Sequence, residues 1–362
     1  MRKNYGYDTY RGRSPFRSVL KWIIALLVVV LILAVAALVW LQQYMVYSSD
    51  GGKLVFPWTE QSTPFPSPTP SSAPPLASPS VVVVTPEVPT PEALHAAFLP
   101  REALYDGSAD QALLAAGAQA AVFDMKADDG TLAYVSSLAL AIQANASSAD
   151  PAINAAIQEL NRLEGLYTVA RVSCFRDDKL SDADWSLNIT TNSGYRWTDP
   201  DGLKWSSPAN QTVQTYVTAV CVELAQLGFD EILLDNAGYP VQGNLAYIKP
   251  GAAYDKSQLS TVIGNFYKDV RAALADYPDV KLSVATDRST LEAGQDDLSG
   301  QTLSALAESA DRIWATDLGA GWSSCVNALQ DKGFPDPELN LVSIQDAQGA
   351  ESRSWSLWME ES

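Results

Sequence analysis

From residue 98 to the C-terminus, short apolar runs alternate with stretches of helical period, and this alternation most constrains the fold. The clearest unit is GFDEILLDNAGYP at 228–240. Val213, Val217, Val220, Leu224 and Leu227 make one apolar helical stripe behind the Ser207-Pro208 cap, and Gly228 supplies a helix stop. A short apolar strand follows and runs out at Asp235. Further strands read at 121–126, 166–175, 281–285, 312–316, 339–345 and 354–359, with helices from Asp150-Pro151 to Gly165 and near 258–276, 303–309 and 324–332. Strand–helix repetition implies right-handed parallel crossovers, and seven or eight strands favour a closed (β/α)8 TIM barrel over an open sheet. The last third is short for its strands, so the barrel is expected to be incomplete or degenerate at its C-terminal end. No GxGxxG or GxxxxGK[ST] follows a strand, which removes the phosphate loop of nucleotide-binding sheets.

Ahead of this region the composition changes twice. Trp22 to Leu41 is an unbroken uncharged run. At about 1.5 Å per residue it matches the roughly 30 Å hydrocarbon core of a bilayer. Arg2, Lys3, Arg11, Arg13, Arg17 and Lys21 precede it against the single acid Asp8. The positive-inside rule keeps that tail cytoplasmic and exports the rest. Gln42 and Gln43 give no small-residue cleavage site, so the run reads as an uncleaved signal-anchor. Residues 57–91 hold 11 of the 21 prolines and tend towards polyproline II, as a stalk does. The expected organisation is a basic tail 1–21, a transmembrane helix 22–41, a Pro/Ser/Thr-rich linker 42–94 and a barrel 95–362, in a single-pass membrane protein with its C-terminal domain extracytoplasmic.

Charge and residue types exclude much chemistry. The chain is −18 overall, and its tail is +5, so the remainder is −23. Such a domain offers no basic surface for counterion release, so nucleic acid is excluded as a partner. The single histidine, His95, removes Ser–His–Asp and Cys–His catalysis and histidine-rich metal sites. Cys174, Cys221 and Cys325 form no zinc or CxxC pattern, and no metal or cofactor is expected. Paired carboxylates remain as the acid–base device, and glycoside hydrolysis uses that device. Polar residues recur at the strand ends, namely Asp124 and Lys126; Arg171, Arg176, Asp177 and Asp178; Asp235 and Asn236; Asp287; Asp317; and Asp346. Barrel geometry would gather them at one rim, although each alone is an ordinary solvated loop residue. Trp185, Tyr195, Trp197, Trp205, Tyr239, Trp322, Trp355 and Trp358 fall on loops or strand ends, where they would either stack on sugar rings or pack the loops.

AVFDMKADDGTLAYVS (121–136), ARVSCFRDDKL (170–180), W-T-D-P…W-S-S-P-A-N (197–210), GFDEILLDNAGYP and SGQTLSALAESADRIWA (299–315) occur in that order. The set resembles a bacterial family of glycoside-hydrolase-like domains, TIM barrels related to the α-amylase-like glycosidases. The family's D-x-K falls on Asp124 and Lys126, its R-x-x-x-F-[KR]-D on Arg171, Phe175, Arg176 and Asp177, and its G-F-D-E-I-x-x-D on Gly228 to Asp235. The chain departs from the family over Asp235–Pro240, where the family's arginine is missing, over Ser283–Arg288, where the acid is displaced, and over Ala315–Gly319. The resemblance implies carbohydrate as ligand. For an enzyme using a carboxylate pair, the residues themselves make Asp235 the expected nucleophile or base and Asp287 the expected general acid, with Glu292 and Asp317 in reserve. Lys126 and Arg171 are expected to hold Asp235 ionised. Asp124, Asp177, Trp197, Tyr239 and Asp317 complete the expected substrate contacts. Loss of part of the site would leave a non-catalytic glycan-binding or wall-attachment module.

Overall fold

The computed structural model describes residues 45–48, 51–54 and 92–358. The expected tail, the transmembrane run 22–41 and the stalk 57–91 lie outside the described residues. Among the described residues no helix is long and apolar enough to cross a membrane. In the linker region Met45–Ser48 pairs antiparallel with Gly51–Leu54.

Eight parallel strands follow in chain order: β1 His95–Phe98, β2 Ala120–Lys126, β3 Tyr167–Ser173, β4 Glu231–Asp235, β5 Lys281–Asp287, β6 Arg312–Thr316, β7 Leu341–Gln345 and β8 Trp355–Leu357. Each pairs with its neighbours in sequence, and β8 closes the ring on β1 through Trp355 opposite His95. The expected TIM barrel is therefore present and closed. β1 was not legible, because HAAF is short and has no alternation.

The helices are α1 Ala109–Ala116, α2 Ala139–Gln143, α3 Ile153–Leu160, α4 Asp178–Ala183, α5 Gln211–Gln226, α6 Leu259–Ala273, α7 Arg288–Ala293, α8 Leu303–Ser309, α9 Trp322–Asp331 and α10 Pro337–Asn340. On α5 the stripe of Val213, Val217, Val220 and Leu224 is wholly buried against the barrel wall. Its N-cap is Asn210, whose side chain accepts the Thr212 N–H, three residues beyond the expected Ser207. The helix expected from Asp150-Pro151 to Gly165 spans only Ile153–Leu160, with Ala152 rather than Asp150 at its N-cap. Gly228, at φ +93°, lets the chain reverse into β4, as its position after the α5 stripe predicts. Residues 346–354 cross from β7 to β8 without a helix, and no helix follows β8 among the described residues.

Two apolar layers surround the strands. Ala96, Ala120, Val122, Val169, Leu233, Trp314 and Val342 fill the barrel interior, while the larger core lies between strands and helices. An ion pair seals the floor of the barrel. Glu231, wholly buried, pairs with Arg312 and accepts bonds from Tyr167 Oη (2.8 Å), Ser283 Oγ (2.5 Å) and Trp314 Nε1 (2.9 Å). With every acceptor direction met, the charge is tolerated in an interior where an unpaired one would not be. His95 stacks on Trp355 at 4.6 Å at the same N-terminal end, remote from the strand ends that bear the aspartates. The three cysteines are free and buried, and burial pushes the Cys221 thiol up to about 12.

Candidate active site

The C-terminal ends of β2, β3 and β4 gather one guanidinium and three carboxylates. Asp124 on β2 lies directly opposite Arg171 on β3, and Ser173 lies opposite Asp235 on β4. Because the strands are staggered around the barrel, the long Arg171 side chain reaches forward to Asp235 as well as sideways to Asp124. Its Nη1 donates to Asp124 (2.9 Å) and its Nε to Asp235 (2.8 Å), with Nη2 also 2.7 Å from Asp235. Nη2 donates in addition to Asp128 at 2.7 Å. Asp128 stands in the Ala127–Gly130 turn just beyond β2, closed by the Gly130 N–H donating to Ala127. Gly130 has φ +90°, and a Cβ there would lie 1.9 Å from Asp177 Oδ1, so only glycine fits.

Arg176 extends the network outward. It donates to Asp128 (2.6 Å), Asp199 (2.6 Å) and Asp201 (2.6 Å). Asn236, held in the left-handed region at φ +46°, donates its backbone N–H to Asp235 at 2.7 Å. Its amide reaches Asp128 (3.1 Å) and Ser173 Oγ (2.9 Å).

The carboxylates differ in environment. Asp124 retains 44 % of its side-chain surface, and the protein around the remainder partly desolvates the carboxyl. This desolvation pushes its carboxyl above the ordinary value, with help from the charges of Asp128 and Asp235 and against the pull of Arg171. Burial also works against the charge on Asp128, but Arg171 and Arg176 outweigh it and hold that carboxyl low. Arg171 is only 5 % exposed; burial opposes its charge, yet Asp235, Asp124 and Asp128 hold it firmly protonated. Two carboxylates therefore flank one guanidinium at the mouth, Asp124 the more exposed and held by one donor, Asp235 the less exposed and held by two.

Asp124, Arg171, Asp235 and Asp287 all occupy strand C-terminal ends, but several expected partners sit elsewhere. Lys126 is wholly buried, donates to the Ser173 carbonyl (2.6 Å) and pairs with Asp177 at 2.7 Å, so its charge is taken up by Asp177 rather than Asp235. Asp177 is equally buried and N-caps α4 by accepting the Leu180 N–H, which leaves it no surface for a substrate. Asp287 N-caps α7. Burial raises its carboxyl, but bonds from Thr290 and Ser289 outweigh this and hold it below the ordinary range, unsuited to keeping a proton at neutral pH. Bonds from Ser324 and then Arg288 likewise hold Glu292 low. Asp317 is exposed beyond β6 at φ +58°.

Trp197 and Tyr239 are each 2 % exposed and pack the loops. Trp197 donates to the Asn244 carbonyl, and Tyr239 meets Tyr254 edge-on at 5.5 Å. The aromatic group at the mouth is Trp358, just past β8. It is 37 % exposed, backed by Phe98 at 4.2 Å and lies 5.5 Å from the Arg171 guanidinium. Asp128 is the residue the sequence reading missed; its signal was the ADDG turn after the D-x-K strand end. Among the described residues no group of three or more His, Cys, Asp or Glu is arranged to hold a metal ion.

Solved structures resemble the chain distantly. A hypothetical protein from Ruminiclostridium thermocellum is 23% identical over 53% of this chain and 96% of its own, with a TM-score of 0.44. The PgaB (BpsB) glycoside hydrolase domain from Bordetella bronchiseptica is 13% identical over 74% of this chain and 94% of its own, with a TM-score of 0.48. The glycoside hydrolase domain of PelA from Pseudomonas aeruginosa is 13% identical over 70% and 84%, with a TM-score of 0.39. At these values no residue correspondence is carried over. No curated protein matches the chain. The family described as a putative glycosyl hydrolase domain matches residues 112–334, which run from α1 past α9 and hold all the mouth residues except Phe98 and Trp358; the chain belongs to that family.

Proposed function

We propose that the barrel hydrolyses glycosidic bonds of envelope or environmental polysaccharide, with Asp124 and Asp235 as its carboxylate pair. The observation that carries this is the shared guanidinium: Arg171 contacts both acids within 2.9 Å while their surroundings differ. Unlike surroundings around two like carboxyls are the arrangement that acid–base division uses. Asp124 takes the general-acid role, protonating the leaving oxygen, in place of Asp287, whose carboxyl caps α7. Asp235, which receives Nε and a share of Nη2 from Arg171, attacks the anomeric carbon or deprotonates a water. Trp358 offers an apolar surface beside them for a sugar ring. Kinship with the α-amylase-like glycosidases belongs to the same reading, on the motif order.

The uncharged run 22–41 and its basic flank support a single-pass anchor that presents the barrel outside the cell. A cysteine probe placed in 57–91 is expected to react from outside intact cells, and one in 2–18 only after lysis. The opposite pattern would refute the topology.

The enzymatic test is release of new reducing ends from a panel of neutral and amino-sugar polysaccharides. Proton NMR of the first-formed anomer then assigns retention or inversion, which follows from a carboxylate separation of about 5 Å or about 6.5–9.5 Å respectively. One observation favours a second reading, a glycan-binding or wall-attachment module: Asp235 and Asp128 are already satisfied by Arg171. Saturable glycan binding with no new reducing ends would establish that reading instead.

A further inference from the structure

Arg171 does not divide its donors evenly. Asp235 receives Nε and shares Nη2, whereas Asp124 receives Nη1 alone. The third claimant, Asp128, takes Nη2 at 2.7 Å and is itself fixed from two other directions. Arg176 Nη1 holds its second oxygen at 2.6 Å, and the Asn236 amide donates to its first at 3.1 Å. Asn236 can do this because its left-handed backbone turns the side chain back over the mouth towards Asp128 and Ser173. Asp128 does not need to touch a substrate to matter, since it anchors one edge of the guanidinium on the side shared with Asp235.

We infer that Asp128 is a positioning residue: it keeps Arg171 turned towards Asp235 and thereby decides which of the two flanking carboxylates carries the proton. This rests on the reading of Asp124 as proton donor. The charged groups that face Asp124 are Arg171 from β3, Asp235 from β4 and Asp128 from the turn after β2. Removing the negative charge of Asp128 takes away one repulsive neighbour and releases the edge of the guanidinium held beside Asp235, so Arg171 turns more towards Asp124. Removing Arg176 has the opposite effect: a cation is lost from the rim, and Asp128 is left to compete for Arg171 with its whole charge. The two perturbations should therefore move Asp124 in opposite directions. A purely structural role for either residue would move Asp124 the same way in both variants, towards the value of an unfolded aspartate near 3.9.

The test is a carbon-13 carboxyl titration of the aspartate-labelled full chain, with the Asp124 signal assigned by its loss in Asp124→Asn. The account expects the Asp124 midpoint to fall by at least half a pH unit in Asp128→Asn, about a threefold change in acid dissociation. It expects a rise in Arg176→Gln. Where turnover is found, the alkaline limb of kcat/KM should move with the midpoint while KM stays within about twofold. An unchanged or raised midpoint in Asp128→Asn would overturn the inference, and so would a lowered one in Arg176→Gln. Should Asp128→Asn fail to fold, the direction seen in Arg176→Gln decides the matter. Because the titration needs no substrate, its outcome is separate from that of the glycosidase reading. Turnover without the opposed shifts would sink only the role of Asp128. Opposed shifts without turnover would sink only the catalytic reading.

Discussion

Replacing Lys126 by methionine tests whether this lysine is scaffold or site. Its ammonium has no exposed surface and is matched by Asp177 at 2.7 Å and the Ser173 carbonyl at 2.6 Å. Methionine fills a similar volume but leaves the Asp177 carboxylate buried with only the Leu180 N–H to satisfy it. Breaking one side of a buried pair costs about 3–5 kcal/mol. For a domain of this size about 1 kcal/mol corresponds to roughly 2–4 °C, so Tm should fall by about 6–20 °C. The control is the double variant Lys126→Met/Asp177→Asn. Asparagine keeps the α4 cap, which it serves about as well as aspartate, and removes the orphaned charge. The double variant should therefore be at least about 2 kcal/mol more stable than Lys126→Met alone. Urea unfolding followed by tryptophan fluorescence measures all three proteins. A loss below about 1 kcal/mol in Lys126→Met, or no recovery in the double variant, would refute the assignment of Lys126 to the scaffold.

Three further outcomes follow from the site. Gly130→Ala would force a Cβ into Asp177 Oδ1 at a backbone angle that side chains rarely adopt, and should cost about 2–4 kcal/mol in the same unfolding assay. Trp358→Ala should raise KM or Kd for a bound glycan by about 2- to 10-fold, the range for an aromatic contact worth about 0.5–1.5 kcal/mol, with kcat changed less. Acid should destabilise the barrel through Asp128, Asp199 and Asp287, whose folded carboxyls are all held below the ordinary value. For such groups stability is present above the unfolded pKa of about 3.9 and is lost as pH falls through the folded one. Unfolding midpoints should thus hold near pH 6 and drop below about pH 4; a midpoint that rises between pH 5 and 3 would contradict the ion-pair network.

The fold was legible where pattern and physics coincide. The α5 stripe, Gly228 and the apolar strand to Asp235 are each enforced locally, and the structure keeps them. β1 was hidden because HAAF is defined by its neighbours β2 and β8 rather than by its own sequence. The site was legible as strand ends, since barrel topology alone brings Asp124, Arg171 and Asp235 to one mouth. Its inner partnerships were not. Lys126 and Asp124 are two residues apart, yet a register shift between them sends the lysine to Asp177 and leaves the aspartate at the mouth. Asp177 and Asp287 both read as rim acids and both serve as helix N-caps, a role that depends on where α4 and α7 begin. Trp197 and Trp358 look alike in sequence; only the packing of the loop around Asn244 buries the first, while the closure of β8 on β1 places the second beside Arg171.

The central claim is that Asp124 and Asp235 act as a pair, and glycan turnover by wild type, Asp235→Asn and Asp124→Asn tests it most directly. The account predicts that each substitution lowers kcat by about 10²–10⁴-fold, as expected for removing a positioned acid or base. It also predicts that the alkaline fall in wild-type kcat/KM, which reports loss of the Asp124 proton, disappears in Asp124→Asn. Turnover by Asp235→Asn at the wild-type rate would contradict it, as would an alkaline limb that survives in Asp124→Asn.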